Sequence, residues 1–218
     1  MPIDNALAQL TVNSKYILLP GIYPYPSLLI SKERKYLGKN WEETHEELKK
    51  ENSFMLTPRL FVDFLKLLKS GNTNDENKNR IPDSENEFIL NDILTKRNPY
   101  RGEWLDAKFM KFKREFYEKL FILYDTKSGV EPSLFGSLEC CLIEEDMNFI
   151  DLNYWLSNVT SQGMPPLNCP DGNISYYSPK ENRVASFWVA PYNGPCFDCD
   201  RDPKGLTVFG VRPAKIIK

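Results

Sequence analysis

Histidine is nearly absent from this chain, because His45 is the only one among 218 residues. A Ser-His-Asp arrangement would have to use it, and the sequence contains neither a nucleophile-elbow motif nor a glycine-rich phosphate loop. Carboxylate groups such as those at 144–146 and 198–202 are too common in proteins to indicate acid-base catalysis. The sequence therefore predicts no enzymatic activity and no cofactor.

An excess of positive charge and long apolar runs are also lacking. The net charge is -2 at pH 7 and the pI is near 5.6, so the basic footprint of a nucleic-acid binder is missing. No run approaches the ~18 apolar residues that a transmembrane helix needs. Residues 1–26 lack the basic start of a secretory signal, and Pro20 interrupts their longest apolar run. We expect no nucleic-acid partner, no membrane insertion, and a cytoplasmic or virion-associated location.

The five cysteines are an odd number, which does not suit a disulfide framework. The adjacent Cys140 and Cys141 are interpreted as small buried hydrophobic residues. Cys196 and Cys199 form a C-x-x-C pair, which could be redox-active or supply half of a zinc site. A zinc site would need two further ligands, and His45 is distant in sequence, so we expect no metal at this pair.

Two early segments have helix patterns. Asn40 is a candidate N-cap for a helix that ends near Lys50, with acidic residues first and basic residues last. The segment from Pro58 to Lys69 has Thr57 as a cap and an apolar stripe at helical spacing. The stripe consists of Phe61, Phe64, Leu65 and Leu68.

Later segments indicate strands and loops. Residues 102–109 alternate, with Leu105, Ala107 and Phe109 on one side, which predicts a strand. Residues 72–87 contain one large aliphatic side chain, Ile81, and are predicted to be a mobile polar loop. Residues 161–180 are rich in Gly, Pro, Asn and Ser and are predicted to be loop as well. The chain as a whole is expected to be one α+β domain.

The last 37 residues, 182–218, show the clearest pattern. From Arg183 to Val189 the side chains alternate, which predicts a strand with Val184, Ser186 and Trp188 on one face. Turn-forming residues follow at 190–195 and again at 202–205, and residues 206–212 are predicted to form a closing strand. Two strands joined by loops rich in aromatic and short polar side chains suit a surface that contacts a ligand.

These residues carry a resemblance. The order Arg183-Val-Ala-x-Phe, Cys199-x-Arg-Asp-Pro203 and Phe209-Gly-Val-Arg212 is similar to the end of the C-type lectin fold in its formylglycine-generating-enzyme-like branch. More narrowly, it resembles the variable proteins of diversity-generating retroelements. In that family the C-terminal segment is rewritten by adenine-directed mutagenesis and displayed as a ligand-binding surface. The resemblance implies a C-type lectin-like fold and a variable ligand, with a protein favoured and the oligomeric state left open.

The resemblance also divides the segment into frame and display residues. The implied frame consists of Val184, Ala185, Phe187, Cys199, Arg201, Pro203, Gly210, Val211 and Arg212. The implied ligand-contacting residues are Trp188, Ala190, Tyr192, Asn193, Phe197, Asp198, Asp200 and Asp202. Mutating both adenines of an AAC or AAT codon cannot produce Trp, so Trp188 is either not a diversified site or derives from another codon. The alternation of Asp198, Asp200 and Asp202 could bind calcium, but Arg201 and Pro203 interrupt it and this branch does not generally rely on calcium.

Residues ahead of this segment could extend the display surface over 150–218. Tyr154, Trp155, Ser157 and Asn158 lie together before a loop region, and Trp155 could instead be a core residue with its indole N–H satisfied. Tyr176 and Tyr177 are expected to be exposed anchors in the following loop. The alternative function is a formylglycine-generating-type or other cysteine-based oxidoreductase that uses Cys196 and Cys199, although the cysteine spacing in those enzymes is wider.

Overall fold

The computed structural model describes residues 14–21, 26–114, 117–125, 135–143, 147–192, 194–204 and 208–217. Within these ranges the helices are α1 (Trp41–Lys50), α2 (Pro58–Ser70), α3 (Asp83–Leu94) and α4 (Leu152–Asn158). The strands are β1 (Tyr16–Leu19), β2 (Leu28–Ser31), β3 (Asn74–Asp75), β4 (Arg101–Arg114), β5 (Tyr117–Leu123), β6 (Phe135–Ser137), β7 (Asn148–Ile150), β8 (Ile174–Tyr177), β9 (Arg183–Ala190), β10 (Gly194–Arg201), β11 (Phe209–Gly210) and β12 (Ala214–Ile216). None of the described helices is long and apolar enough to cross a membrane.

The strands form two sheets, and the predicted α+β class is confirmed. The smaller sheet has the order β12-β2-β1-β3, so a strand near residue 215 lies beside one near residue 29. The larger sheet has the order β6-β5-β4-β9-β10-β8-β7, with β11 beside β4. Its neighbours are antiparallel except for the parallel pairs β10 with β8 and β11 with β4. The C-terminal strands β9 and β10 therefore lie in the middle of the larger sheet.

β9 has the alternation that its sequence predicts, and both of its faces carry buried side chains. Ala185, Phe187 and Val189 belong to the larger hydrophobic cluster, where Phe187 lies against Phe61 of α2 with ring centroids 5.1 Å apart. Val184 belongs to a second cluster on the opposite face, together with Trp104 and Phe209. A strand buried on both faces is apolar on both, which explains why few charged side chains interrupt β9.

The two early helices are also confirmed. Asn40 accepts a hydrogen bond from the Glu43 N–H, and Glu43 accepts one from the Asn40 N–H, so α1 begins with a capping box. Thr57 accepts a bond from the Leu60 N–H at the start of α2, and Gly71 ends that helix with a φ of 68°. All four residues of the predicted apolar stripe of α2 are buried.

The predicted loop at 72–87 is wrong in part, because this segment contains β3 and the first turn of α3. Its polar side chains are satisfied locally: the Asp75 carboxylate accepts bonds from the Asn77 and Asn79 N–H groups, both at 2.8 Å. The Asn86 amide donates to the Leu68 carbonyl oxygen at 2.7 Å, and Ile81 is buried. This polar segment therefore forms regular structure despite its low hydrophobicity, because side-chain hydrogen bonds to the backbone stabilise it.

Candidate functional site

The candidate site lies on the hairpin formed by β9 and β10. Trp188 pairs with Cys196 and Ser186 with Asp198, and the register shifts between Asp198 and Arg201, as at a β-bulge. Bulges turn side chains away from the regular alternation of a strand. The irregular part of β10 faces an open cavity of about 460 Å³ lined by Tyr177, Arg183, Trp188, Asp198, Asp200, Arg201 and Asp202.

Asp198 organises the floor of this cavity. Its Oδ2 accepts hydrogen bonds from Trp188 Nε1 at 3.0 Å and from Arg201 Nη2 at 2.7 Å, while its Oδ1 accepts the Asp200 N–H at 2.9 Å. The side chain is only 6% exposed, so its charge is compensated by these donors rather than by bulk water. The floor is therefore a fixed arrangement of charge and ring.

The Arg201 guanidinium fills the space between two aromatic rings. Its central carbon lies 5.3 Å from the ring centroid of Trp188 and 5.3 Å from that of Phe209. Tyr100 also contacts both rings edge-on, at 6.2 Å and 6.5 Å between centroids. Cation–π contacts of this kind hold an arginine side chain in place and leave its charge at the cavity wall.

The rim of the cavity is built from ion pairs whose side chains are partly or largely exposed, from 23% for Asp200 to 59% for Asp202. Lys180 Nζ lies 2.7 Å from Asp200 Oδ2, and Arg183 lies 3.3 Å from Asp200 and 3.5 Å from Asp202. Such exposed pairs contribute little to stability, typically below about 1 kcal/mol. Substitutions of the rim residues should therefore reduce stability only slightly, whereas substitutions of the floor residues should reduce it more.

The structure brings together five of the predicted site residues, namely Tyr177, Trp188, Asp198, Asp200 and Asp202. Ala190 ends β9, and Tyr192 in the following turn has 91% of its surface exposed. Asn193 lies outside the described residues. The cavity also contains Arg183 and Arg201, which the sequence interpretation did not assign to the ligand surface, because the contacts that aim them there depend on strand register.

Three of the predicted contact residues are corrected, because Trp155, Tyr176 and Phe197 have no exposed surface. The Phe197 ring stacks on the rings of Trp155 and Tyr176, with centroid distances of 4.7 Å and 5.7 Å. Trp155 Nε1 donates to the Gly163 carbonyl oxygen and the Tyr176 hydroxyl donates to the Leu142 carbonyl oxygen, so both polar groups are satisfied inside the core. Tyr176 and Tyr177 lie on strand β8 rather than in the predicted loop.

Tyr154, Ser157 and Asn158 lie on α4, outside the lining of this cavity. The Trp155 ring of α4 packs against Phe197, and by alternation Asp198 faces the other side of β10. Ser157 and Asn158 are exposed, and Tyr154 is held by a bond from Asn168 Nδ2 to its hydroxyl. These three residues therefore do not form one surface with the cavity.

The C-x-x-C pair is buried. Cys196 and Cys199 are free thiols with no exposed surface, and burial raises the pKa of each well above its usual value, with the charge of Asp198 adding to this effect. A raised pKa disfavours the thiolate that redox exchange and metal binding require. In the described part of the chain no group of three or more His, Cys, Asp or Glu residues is arranged to hold a metal ion.

No protein-family model, curated protein or solved structure matches this chain.

Proposed function

We propose that this protein displays side chains of its C-terminal segment to a protein ligand on a C-type lectin-like scaffold, as the variable proteins of diversity-generating retroelements do. The observation that carries the proposal is a division by burial within the C-terminal segment. The residues that the resemblance assigns to the frame are mainly buried, and most of those assigned to display reach the cavity or the solvent.

On the frame side, Val184, Ala185, Phe187, Cys199 and Val211 are all at most 2% exposed. Gly210 has so little room that a Cβ there would lie 2.7 Å from the Lys35 carbonyl oxygen. A buried frame keeps its conformation when neighbouring surface residues change, because its stability comes from packing that does not involve them.

On the display side, three residues line the cavity, namely Trp188, Asp200 and Asp202. Tyr192 lies in the neighbouring turn and is exposed to solvent. Phe197 leaves this set and joins the frame. A rigid indole beside exchangeable charged groups is typical of a surface that binds protein, because aromatic groups supply contact area and short polar groups supply adaptable hydrogen bonds. The main antiparallel pairing and the helices around the sheets are compatible with the C-type lectin-like fold.

A tolerance experiment tests the proposal. Codons with any base at the first two positions and a pyrimidine at the third replace those of Tyr192, Asp200 and Asp202 in one library. The same codons replace those of Val184, Phe187 and Cys199 in a matched library. We expect most members of the first library to stay folded, as judged by protease resistance, and most members of the second to be degraded. Equal loss of folding in both libraries would contradict the display role.

The gene's surroundings give the second test. We expect a repeat of the segment encoding residues 182–218 that differs only at adenines, next to a reverse transcriptase gene. Sequence differences between the two copies should fall on codons for exposed residues such as Tyr192 and Asp202. A locus with neither the repeat nor the reverse transcriptase would overturn the proposal of diversification.

A further inference from the structure

Four arginines from distant parts of the chain converge beside the start of β4. Arg34 follows β2, Arg97 lies between α3 and β4, Arg101 is the first residue of β4, and Arg212 follows β11. They surround two carboxylates, Asp92 of α3 and Glu103 of β4. We call these six residues the arginine cluster.

The two carboxylates are already occupied. Arg212, which is fully buried, donates from Nε to Glu103 at 3.0 Å and from Nη2 to Asp92 at 2.8 Å, and its Nη1 donates to the Lys32 carbonyl oxygen. Asp92 also pairs with Arg101 and, at 3.2 Å, with Arg97. Arg101 Nη2 lies 3.9 Å from Glu103.

The cluster therefore carries more positive than negative charge. Four guanidinium groups against two carboxylates leave a net charge of +2 among these six residues. The Nε atoms of Arg34, Arg97 and Arg101 are buried, and each lacks a hydrogen-bond partner among the described residues. Buried donors and buried charges are normally paired, so three open donors beside two uncompensated charges are unusual.

The electrostatics of the arginines agree with this excess. Burial lowers the pKa of Arg34, and the charges of Arg212 and Arg97 lower it further against the opposing effect of Glu103. Burial likewise lowers the pKa of Arg101 to about 9, with Arg34 and Arg212 adding to the effect and Glu103 opposing it. A guanidinium hardly ever gives up its proton, so an added negative charge is the natural way to relieve this repulsion.

We propose that the arginine cluster binds a small tetrahedral oxyanion with a charge near -2, such as phosphate or sulfate, through the free donors of Arg34, Arg97 and Arg101. The charge of such an anion equals the excess in the cluster, and its oxygens accept the bonds that the guanidinium groups leave open. We expect the anion to enter beside Arg97, because the Arg97 side chain is 39% exposed, whereas that of Arg101 is 10% exposed.

The bound anion would join segments that are far apart in sequence. Arg97 precedes β4, whereas Arg34 donates to the Gly102 carbonyl oxygen at 2.9 Å and so reaches the same strand from the smaller sheet. Because the anion binds only when these segments are assembled, it stabilises the folded state. This site is independent of the proposed display function, since none of its residues lines the cavity of the hairpin.

The test measures the melting temperature of the full chain and the binding heat with inorganic phosphate, with sulfate, and with chloride at equal ionic strength. At about ten times its Kd, phosphate should raise the Tm by roughly 3–6 °C, while chloride should leave it nearly unchanged. The test variant is Arg97→Gln, because the Arg97 side chain is 39% exposed and is more accessible than those of Arg101 and Arg212. The matched control is Arg80→Gln, since Arg80 is exposed and forms a comparable pair with Asp83 at 2.9 Å.

We expect Arg97→Gln to weaken phosphate binding at least about tenfold and Arg80→Gln to leave it unchanged. A second variant, Asp92→Asn, should melt at a lower temperature than the wild type without anion and regain more of its Tm with phosphate, because the excess charge rises from +2 to +3. Equal effects of phosphate and chloride, or equal phosphate binding by Arg97→Gln and the wild type, would overturn the proposal.

Discussion

Trp155 and Phe197 lie almost parallel, with ring centroids 4.7 Å apart and an angle of 21° between their planes. The first belongs to α4 and the second to β10, so the contact fastens the central hairpin to the helix beneath it. Phe197 was expected to contact a ligand, whereas Trp155 was expected to be either a display residue or a core residue. Both are part of the core that supports the hairpin, so the core alternative holds for Trp155. This contact makes the two faces of β10 different in role: Phe197 supports and Asp198 faces the cavity.

Replacing either ring by alanine should therefore reduce stability rather than ligand binding alone. We expect Phe197→Ala and Trp155→Ala each to lower the free energy of unfolding by about 3–5 kcal/mol, because the cavity left in the core cannot close fully. Urea unfolding followed by circular dichroism measures this change. Tyr192→Ala, at a residue that is 91% exposed, is the control and should stay within about 0.5 kcal/mol of the wild type. A loss of similar size for Tyr192→Ala would show that the turn, not the stack, carries the stability.

Asp198→Asn tests the floor of the cavity. The variant keeps the shape of the side chain but removes the charge that faces Arg201, which lies 2.7 Å away and is 21% exposed. We expect a loss of about 1–3 kcal/mol in the free energy of unfolding, since a charge-assisted bond at a nearly buried site is weakened. Asp202→Asn is the matched control on the same strand end, and its side chain is 59% exposed. An equal loss of unfolding free energy in both variants would show that the burial of Asp198 does not strengthen the contribution of its charge to stability.

The protonation of His45 should be visible in the pH dependence of stability. Burial lowers the pKa of this histidine to about 4, with the charge of Lys49 lowering it and that of Asp125 raising it. The unfolded chain, with a pKa near ~6.5, then binds more protons than the folded chain between about pH 4 and 6.5. The contribution of His45 to the free energy of unfolding is fully present above pH 6.5. It is lost as the pH falls towards 4, and the loss reaches up to about 3 kcal/mol.

Because His45 is the only histidine, its imidazole proton resonances report its titration without overlap. A His45→Gln variant, compared with the wild type in urea at pH 5 and pH 7, separates the histidine from the carboxylates that titrate nearby. A midpoint at or above 6.5 would contradict the expectation. It would mean that the neighbouring carboxylates keep the imidazole charged, since Asp106 lies 3.5 Å from His45 Nε2 and Asp125 lies 3.6 Å from Nδ1.

Features that depend on residues close together in the sequence could be predicted. The Asn40 cap, Pro58 at the first turn of α2 and the alternation of β9 depend on residues within a few positions, and all are confirmed. The inward direction of Phe197 could not be predicted, because β10 is an interior strand between β9 and β8 and carries buried side chains on both faces. The arginine cluster could not be predicted either, since its members are separated by up to 178 positions and meet only after the sheets assemble.

Thiol reactivity distinguishes the buried cysteines from the exposed one. Cys140 is exposed, so the expectation that both members of the adjacent pair are buried is wrong for Cys140 and confirmed for Cys141. Cys169 is half-buried, and Cys196 and Cys199 are buried. Burial raises the pKa of Cys141 from 9.0 to about 12, which lowers its thiolate fraction about a thousandfold, and it also raises those of Cys196 and Cys199.

We therefore expect an aromatic disulfide reagent at pH 8 to modify Cys140 first, Cys169 more slowly, and the three buried thiols only after denaturation. Peptide mass spectrometry assigns each modified residue, and Cys140→Ser should remove the fast phase without changing the rest. Rapid modification of Cys196, or an easily formed Cys196–Cys199 disulfide in the folded protein, would contradict this order. It would also give the cysteine-based oxidoreductase an observation in its favour, because that chemistry begins with an accessible thiolate at this pair.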